Sequence, residues 1–430
     1  MPLTKVSAGV IAANAVNDSF GTQSITGDKI GLGAITGNTL ASNIINANNI
    51  VGGTITTTQI ASNTISNTNI QTGAVENYMR ANNLDFGFRN RIINGQMTID
   101  QRNAGAAVTP ASFSYTLDRW GAVAIQASKF SVQQDSSANT VAGFTSSLKV
   151  TSLSSYSVTS TDTFNVYQSI EGFNCADFAW GTASARPVTL SFWVRSSLTG
   201  TFGGAIKDGS STNAYPFTYT ISAANTWEQK IITIPGPTSG QFSYTSTTNG
   251  QGLQIQFGLG AGSTYSGTAG AWAAFNAYSA TGATSVVGTN GATWYITGVQ
   301  LEEGSSATSF EYRHFGMELA LCQRYFESTV GLGEAAASGT AASFRTALGT
   351  YASSQYFGPV VYKVNKRSIP TVTFYNENNT SGALTAYSTS TAASQTATTQ
   401  NSSTTGCNGT FTSVTGYTFA QGKWSADAEL

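Results

Sequence analysis

Ile25, Ile30, Ile35, Leu40, Ile45, Ile50, Ile55, Ile60, Ile65, Ile70 and Val75 fall at every fifth position without a miss. Val10, Ala15 and Phe20 extend the register more weakly toward the N-terminus. Small polar residues dominate the positions between, and Lys5, Asp18, Asp28 and Lys29 are the only charged side chains from Met1 to Val75. A period of five fits neither a helix nor a flat strand. It marks a repeat architecture in which each unit supplies one apolar side chain and a turn. One pentad cannot bury its own apolar group, so burial has to come from stacking. Two geometries satisfy this. A single-chain, four-sided solenoid would rise only about 16 Å over the segment at ~4.8 Å per coil. Three chains wound on a shared axis would reach up to on the order of 200 Å before winding shortens them. The shared axis is preferred, because a solenoid this short, with no aromatic residue after Phe20, would be marginal. A disordered polar linker is the third reading, but disorder needs no register.

Beyond residue 76 the pattern changes. Tyr78, Met79, Arg80, Phe86, Phe88 and Arg89 gather in a junction over 77–90. From 91 to 314 the alternation has period two, between turn signals, which predicts a β-sandwich of jelly-roll type. In Val188–Arg195, Val188, Leu190, Phe192 and Val194 point one way, and Thr189, Ser191, Trp193 and Arg195 the other. Lys230–Ile234, Leu253–Phe257 and Thr293–Val299 read as further strands. The segment 315–328 reads as a linking helix over Gly316–Glu327, with Leu319, Cys322 and Phe326 on one side and Met317, Leu321 and Tyr325 on another. Apolar on most of its surface, it is expected to be buried between domains or at a subunit interface. Residues 329–430 read as a small β tip domain with strands over Gly358–Val364 and Thr371–Tyr375. No charged side chain occurs between Glu377 and Lys423, so that stretch reads as a mobile loop or as a segment threaded against partner subunits. The fold class is therefore all-β: a pentad-repeat shaft over 1–76, a central jelly roll, a short helix and a small β domain.

Composition narrows the function. Only 10% of the 430 residues are charged, against about 25% in ordinary globular proteins. The formal net charge is -1 and no basic stripe is visible, which argues against a nucleic-acid partner. No apolar run is long enough to span a membrane, and the N-terminus does not read as a secretory signal. Cys175, Cys322 and Cys407 are odd in number and far apart, so neither a disulfide framework nor a metal site is expected. Synthesis in a reducing cytosol follows.

The stretch Asn90-Arg91-Ile92-Ile93-Asn94-Gly95-Gln96-Met97 resembles the start of the globular part of bacteriophage tail fibre proteins, as does Leu117-Asp118-Arg119-Trp120. The resemblance continues through Val188–Arg195 with Leu198-Thr199-Gly200, through Gly298–Gly304, and through Ser309–Arg313 and Glu318–Tyr325. It ends on Arg367–Val372 and the terminal Ala426-Asp427-Ala428-Glu429-Leu430. It implies a homotrimeric fibre in the virion tail, assembled in the host cytoplasm and held to a tail or baseplate protein through its N-terminus. It also implies a carbohydrate-binding-module-like sandwich that meets a host surface polysaccharide, with no cofactor. Residues 331–357 and 376–423 match the pattern least, and variable specificity is placed there.

Candidate chemistry was weighed against plainer roles. A tail spike that cleaves glycans needs two carboxyl groups about 5 to 9.5 Å apart. Asp118, Asp162, Glu171, Asp177, Glu302 and Glu303 are available, but nothing marks two as a pair. Asp118 beside Arg119 reads as an ion pair or turn cap, and Glu302 and Glu303 as solvated. His314, the only histidine, would have to serve any Ser-His-Asp triad, and a structural role suits it better. Asp208-Gly209-Ser210 reads as a turn and not a calcium loop. The expected role is binding without catalysis. A cleaving tail spike and a purely structural connector between tail proteins are the alternatives. Sugars stack their C–H faces on exposed rings, so Trp193 with Arg195 is a candidate platform on the sandwich. Tyr351, Tyr356, Phe357 and Trp424 are candidates in the tip.

Overall fold

The computed structural model describes residues 88–137, 141–238, 240–338, 344–347, 349–351, 354–388, 390–412 and 417–430, with side chains left out for 344–357 and Thr412. The chain divides into the units Met1–Val75 and Glu76–Leu430. The pentad positions Ile25 to Val75 and the tail-attachment segment lie outside the described residues.

Period-two alternation builds the first part. Its strands are β1 Ser112–Leu117, β2 Trp120–Ala124, β3 Phe130–Asp135, β4 Ser147–Ser152, β5 Thr163–Glu171, β6 Val188–Ser196, β7 Gly200–Asp208, β8 Ala214–Ile221, β9 Glu228–Ile234, β10 Gln251–Ala261, β11 Ser266–Gly267, β12 Ser279–Ala280 and β13 Thr293–Glu303. Six form one sheet in the order β1-β2-β5-β10-β7-β8, and five form another in the order β3-β4-β13-β6-β9. Every pairing within these two sheets is antiparallel. The chain changes sheet repeatedly, at β2–β3, β4–β5, β5–β6 and β6–β7 among others, which is the wiring of a jelly-roll sandwich.

The alternation in β6 works as its spacing predicts. Val188, Leu190, Phe192 and Val194 are wholly buried in the core shared by both sheets. Phe257 of β10 sits among Phe192, Phe217, Trp294 and Trp120, with ring centroids 5.1, 6.1, 5.9 and 6.4 Å away. Such pairs add about 0.5–1.5 kcal/mol each beyond their burial. Trp294 Nε1 donates to the Tyr219 hydroxyl at 3.1 Å, so the largest core ring leaves no donor unmet.

The helix, α1, runs Phe315–Gln323 and stops four residues before the expected end. Phe326–Ser328 forms strand β14 instead and pairs with the last strand of the tip. Glu327 anchors it: its carboxylate meets Lys366 Nζ at 2.6 Å and accepts from the Lys363 backbone N–H at 3.1 Å. Nor is α1 wholly buried, as its apolar surface predicts. Cys322 packs with Ile93, Ile99 and Tyr325, but Phe315 and Met317 are 52% and 56% exposed.

The remaining strands are β15 Phe344–Ala347, β16 Gly349–Tyr351, β17 Ser354–Val361, β18 Thr371–Tyr375, β19 Ala383–Tyr387, β20 Ala392–Gln400, β21 Gly406–Thr412 and β22 Phe419–Asp427. With β14 they form the tip sheet, in which β22 pairs with β14, β15, β18 and β19. The charge-free stretch read as a loop or partner contact is therefore β19, β20 and β21, with Leu384, Ala386, Ala397 and Phe411 in the tip's own core.

Sandwich and tip meet over buried charge. Arg102 reaches Asp427 at 2.7 Å and Glu429 at 3.1 Å, and Arg119 pairs with Glu429. The Arg119 guanidinium stacks 3.5 Å from the Tyr325 ring centroid, and Arg102 lies 3.9 Å from that of Phe326. Arg324 and the Tyr325 hydroxyl both hold Glu171, at 2.9 and 2.6 Å. Arg119 thus pairs with Glu429 rather than with neighbouring Asp118.

Candidate glycan-binding face

The six-stranded sheet turns its polar alternate positions away from the core. Across the sheet Tyr115, Gly121, Tyr167, Gln256, Ala205 and Pro216 share one level. Ser169, Gln254, Lys207 and Ala214 share the next. Gly121 is what lets a ring lie on the sheet: a Cβ there would stand 2.4 Å from Tyr167 Cζ. Tyr115 and Phe113 set their rings edge-on to Tyr167, at 5.7 and 6.5 Å. The Tyr115 hydroxyl donates to the Leu430 carbonyl at 2.8 Å, which brings the end of the chain to this rim.

The opposite wall is a loop laid flat on the sheet. Cβ atoms at Gly203 and Gly258 would stand 2.5 and 2.6 Å from Ser279 Oγ, so only glycine admits β12 there. That seating carries Asn276 and Tyr278 to Lys207, whose ammonium donates to Asn276 Oδ1 at 3.1 Å and lies 4.0 Å from the Tyr278 ring centroid. Between the walls runs a chain of donated hydrogen bonds: Asn165 to Gln256, Gln256 to Gln254, Gln254 to Ser169 at 2.9 Å, and Ser169 to Gln251 at 3.0 Å. The result is a cleft of about 410 Å³ lined by Phe113, Tyr115, Tyr167, Lys207, Gln251, Gln254, Tyr278 and Leu430, with Gly209 and Ser211. Burial raises the Tyr278 phenol and pushes that of Tyr167 up to about 12, so both face the cleft as neutral donors. Rings beside fixed amide groups are what a sugar's C–H faces and hydroxyls require.

The platform expected from the sequence lies on the other sheet. Arg195 and Tyr295 pair across β6 and β13, with the guanidinium 5.2 Å from the ring centroid. Lys149 comes within 5.8 Å of the same ring, and Trp227 sets its ring 6.2 Å from it. Trp193 is half-buried beside Gly298, where a Cβ would stand 3.2 Å from Trp193 Cδ1 and 2.6 Å from Phe144 Cζ. Trp193, Tyr295 and Trp227 are each half-buried, with Arg195 and Trp227 both set against Tyr295. In the tip, Trp424 is 6% exposed and packs on Tyr362 at 5.8 Å, so it is a core residue and not an exposed ring. Tyr351 lies in β16, and Tyr356 and Phe357 in β17; their side chains lie outside the described residues.

The acidic groups are committed elsewhere. Asp118 is wholly buried and accepts from the backbone and side chain of Gln101; burial pushes its carboxyl up to about 7, against the attraction of Arg102. Glu302, expected to be solvated, is 2% exposed and accepts from Thr308 Oγ1 at 2.7 Å, while Glu303 pairs with Arg186 at 2.9 Å. Asp208 closes a turn onto Thr212 and Asn213. His314 is the exposed residue before α1 and makes no side-chain cap. The three cysteines are buried and free.

Sequence reasoning missed the cleft residues Tyr115, Tyr167, Lys207, Gln254 and Tyr278. A signal was present: glycines at 121 and 203, and polar residues at alternate positions of β5 and β10, on strands whose other face is core.

No family model matches the chain, and no curated protein matches it in sequence. Among solved structures, a family 61 carbohydrate-binding module in complex with β-1,4-galactotriose is similar over 50% of this chain and 99% of its own, at TM-score 0.27 and 10% identity. A family 11 module from Clostridium thermocellum with a mixed-linked tetrasaccharide covers 47% and 97%, at 0.24 and 11%. The enzymatically active domain of tailspike protein 4 from bacteriophage CBA120 covers 50% of this chain, at 0.25 and 14%, and the match spans only 21% of that tailspike chain. At such scores the ligand of this chain has to be read from its own side chains.

Proposed function

We propose that this chain is a fibre subunit of a bacteriophage tail that holds its host non-covalently by a surface glycan, through the cleft on the six-stranded sheet. The observation that carries the glycan reading is Tyr167 laid flat over Gly121 beside the buried amide chain of Asn165, Gln256 and Gln254. The Phe113 ring, 60% exposed on the same cleft, with fixed hydrogen-bonding groups beyond it, gives a sugar both contacts it needs. The fibre reading rests on the sequence resemblance from Asn90 to Leu430 and on the pentads, which suit three copies wound together. In a homotrimer each site is free to be weak, because three sites on one fibre act together. The N-terminal segment would grip the tail or baseplate.

Adsorption of the full chain to host cells and to purified surface polysaccharide tests this. A binder retains the polysaccharide without shortening it, and Tyr167→Ala weakens retention by about tenfold. Shortened polysaccharide would favour a cleaving tail spike. Adhesion to neither cells nor glycan would favour a connector between tail proteins.

A further inference from the structure

Lys207 is buried without an ion pair among the described residues, and Asp208 beside it in the strand is the charge that acts on it. Its side chain stands in the cleft wall, the residue is 2% exposed, and its hydrogen bond to Asn276 uses one of three ammonium donors. Asp208 spends both carboxylate oxygens on Thr212 and Asn213. Glu171, at the end of β5, is held by Arg324 and Tyr325. The phenols that face the same space, Tyr115, Tyr167 and Tyr278, are raised by burial and stay neutral. Leu430, whose carbonyl accepts from Tyr115 on β1, lines the same cleft. A buried cation with one neutral partner and a ring is an unfavourable arrangement until an anion arrives.

We propose that the cleft takes a glycan carrying an anionic sugar residue, with the carboxylate or phosphate of that residue seated on Lys207. This rests on the reading of the six-stranded face as the glycan site. It adds the class of sugar. Burial holds the Lys207 amine down to about 7, so part of the free protein is uncharged at neutral pH. Binding of an anion draws a proton onto Lys207, and affinity falls as the pH rises past 7.

The test is calorimetric titration of the full chain with matched pairs of polymers. Polygalacturonate, glucuronan and polysialic acid are each compared with their carboxyl-reduced forms, and phosphomannan with its phosphatase-treated form. At least one charged polymer should bind at least about tenfold tighter than its uncharged partner, the size of one charge-assisted contact. Which pair shows the difference separates carboxylate from phosphate. Lys207→Gln keeps a donor for Asn276 and should reduce the charged polymer to the level of its uncharged form. Asn276→Asp supplies Lys207 with an internal counter-ion and should also erase the preference, in a chain that still binds the uncharged form. Equal binding of charged and uncharged forms overturns the inference and leaves the glycan reading intact. So does a Lys207→Gln variant that weakens both alike. Binding of neither form overturns both.

Discussion

On the five-stranded face Arg195 lies on Tyr295, Trp227 closes on the same ring, and Trp193 is tucked against Gly298 and Phe144. On the six-stranded face Tyr167 lies over Gly121 with the edges of Tyr115 and Phe113 against it, and only 4% of it is exposed. The two faces carry similar side chains. What separates them is underneath: glycines at 121, 203 and 258 recess a ring and a loop on one sheet, whereas on the other the rings pair with each other. A cleft is made by where the backbone is bare as much as by which rings are present.

The largest effect should come from unpairing the seam that carries Leu430 to the six-stranded rim. Glu429→Gln leaves Arg119 buried without its counter-charge, and about 3–5 kcal/mol should be lost in urea unfolding followed by tryptophan fluorescence. Polysaccharide retention should weaken with it. An unchanged midpoint would show that the seam is not what fixes that rim.

Next come the glycines. Gly121→Val pushes Tyr167 off the sheet and should cost about 1–3 kcal/mol, with retention lost. Gly298→Ala, at φ +59° and against Phe144, should cost a similar ~1–3 kcal/mol and leave retention unchanged. If the two behaved alike in glycan binding, the distinction between the faces would collapse.

Ring truncation sharpens the comparison further. Tyr167→Ala should weaken binding by about tenfold, or ~1.4 kcal/mol, in affinity electrophoresis, and Trp193→Ala by less than about twofold.

The last effect is on pH dependence. Lys207 titrates near 7 when folded and near 10.5 when unfolded, so between those values the unfolded chain holds more protons and stability rises with pH. The slope from this group is at most ~1.4 kcal/mol per pH unit, and Lys207→Met should remove it from thermal melts between pH 7 and 9.

The strands of the sandwich were legible because alternation in β6 or β10 is a local property. The last turn of the expected helix was not, because Glu327 is drawn into the tip sheet by Lys366, 39 residues on. The charge-free run over 377–423 looked unstructured because Ser and Thr in β20 carry no apolar alternation strong enough to show a strand. Trp193 stood out as a site because a tryptophan on a polar face is conspicuous. Tyr167 did not, because its seating depends on Gly121 in another strand, and no single segment contains both.

The amide chain in the cleft runs one way. Asn165 gives to Gln256, which gives to Gln254, then to Ser169 and Gln251, and the buried Asn165 Oδ1 at its head is left with no partner. Reversing one link would require reversing all of them. A polysaccharide also has a sense, from reducing to non-reducing end. On the function proposed above, such a cleft would take its ligand in a single direction, and a fibre laid on a polymer would touch down with a fixed heading.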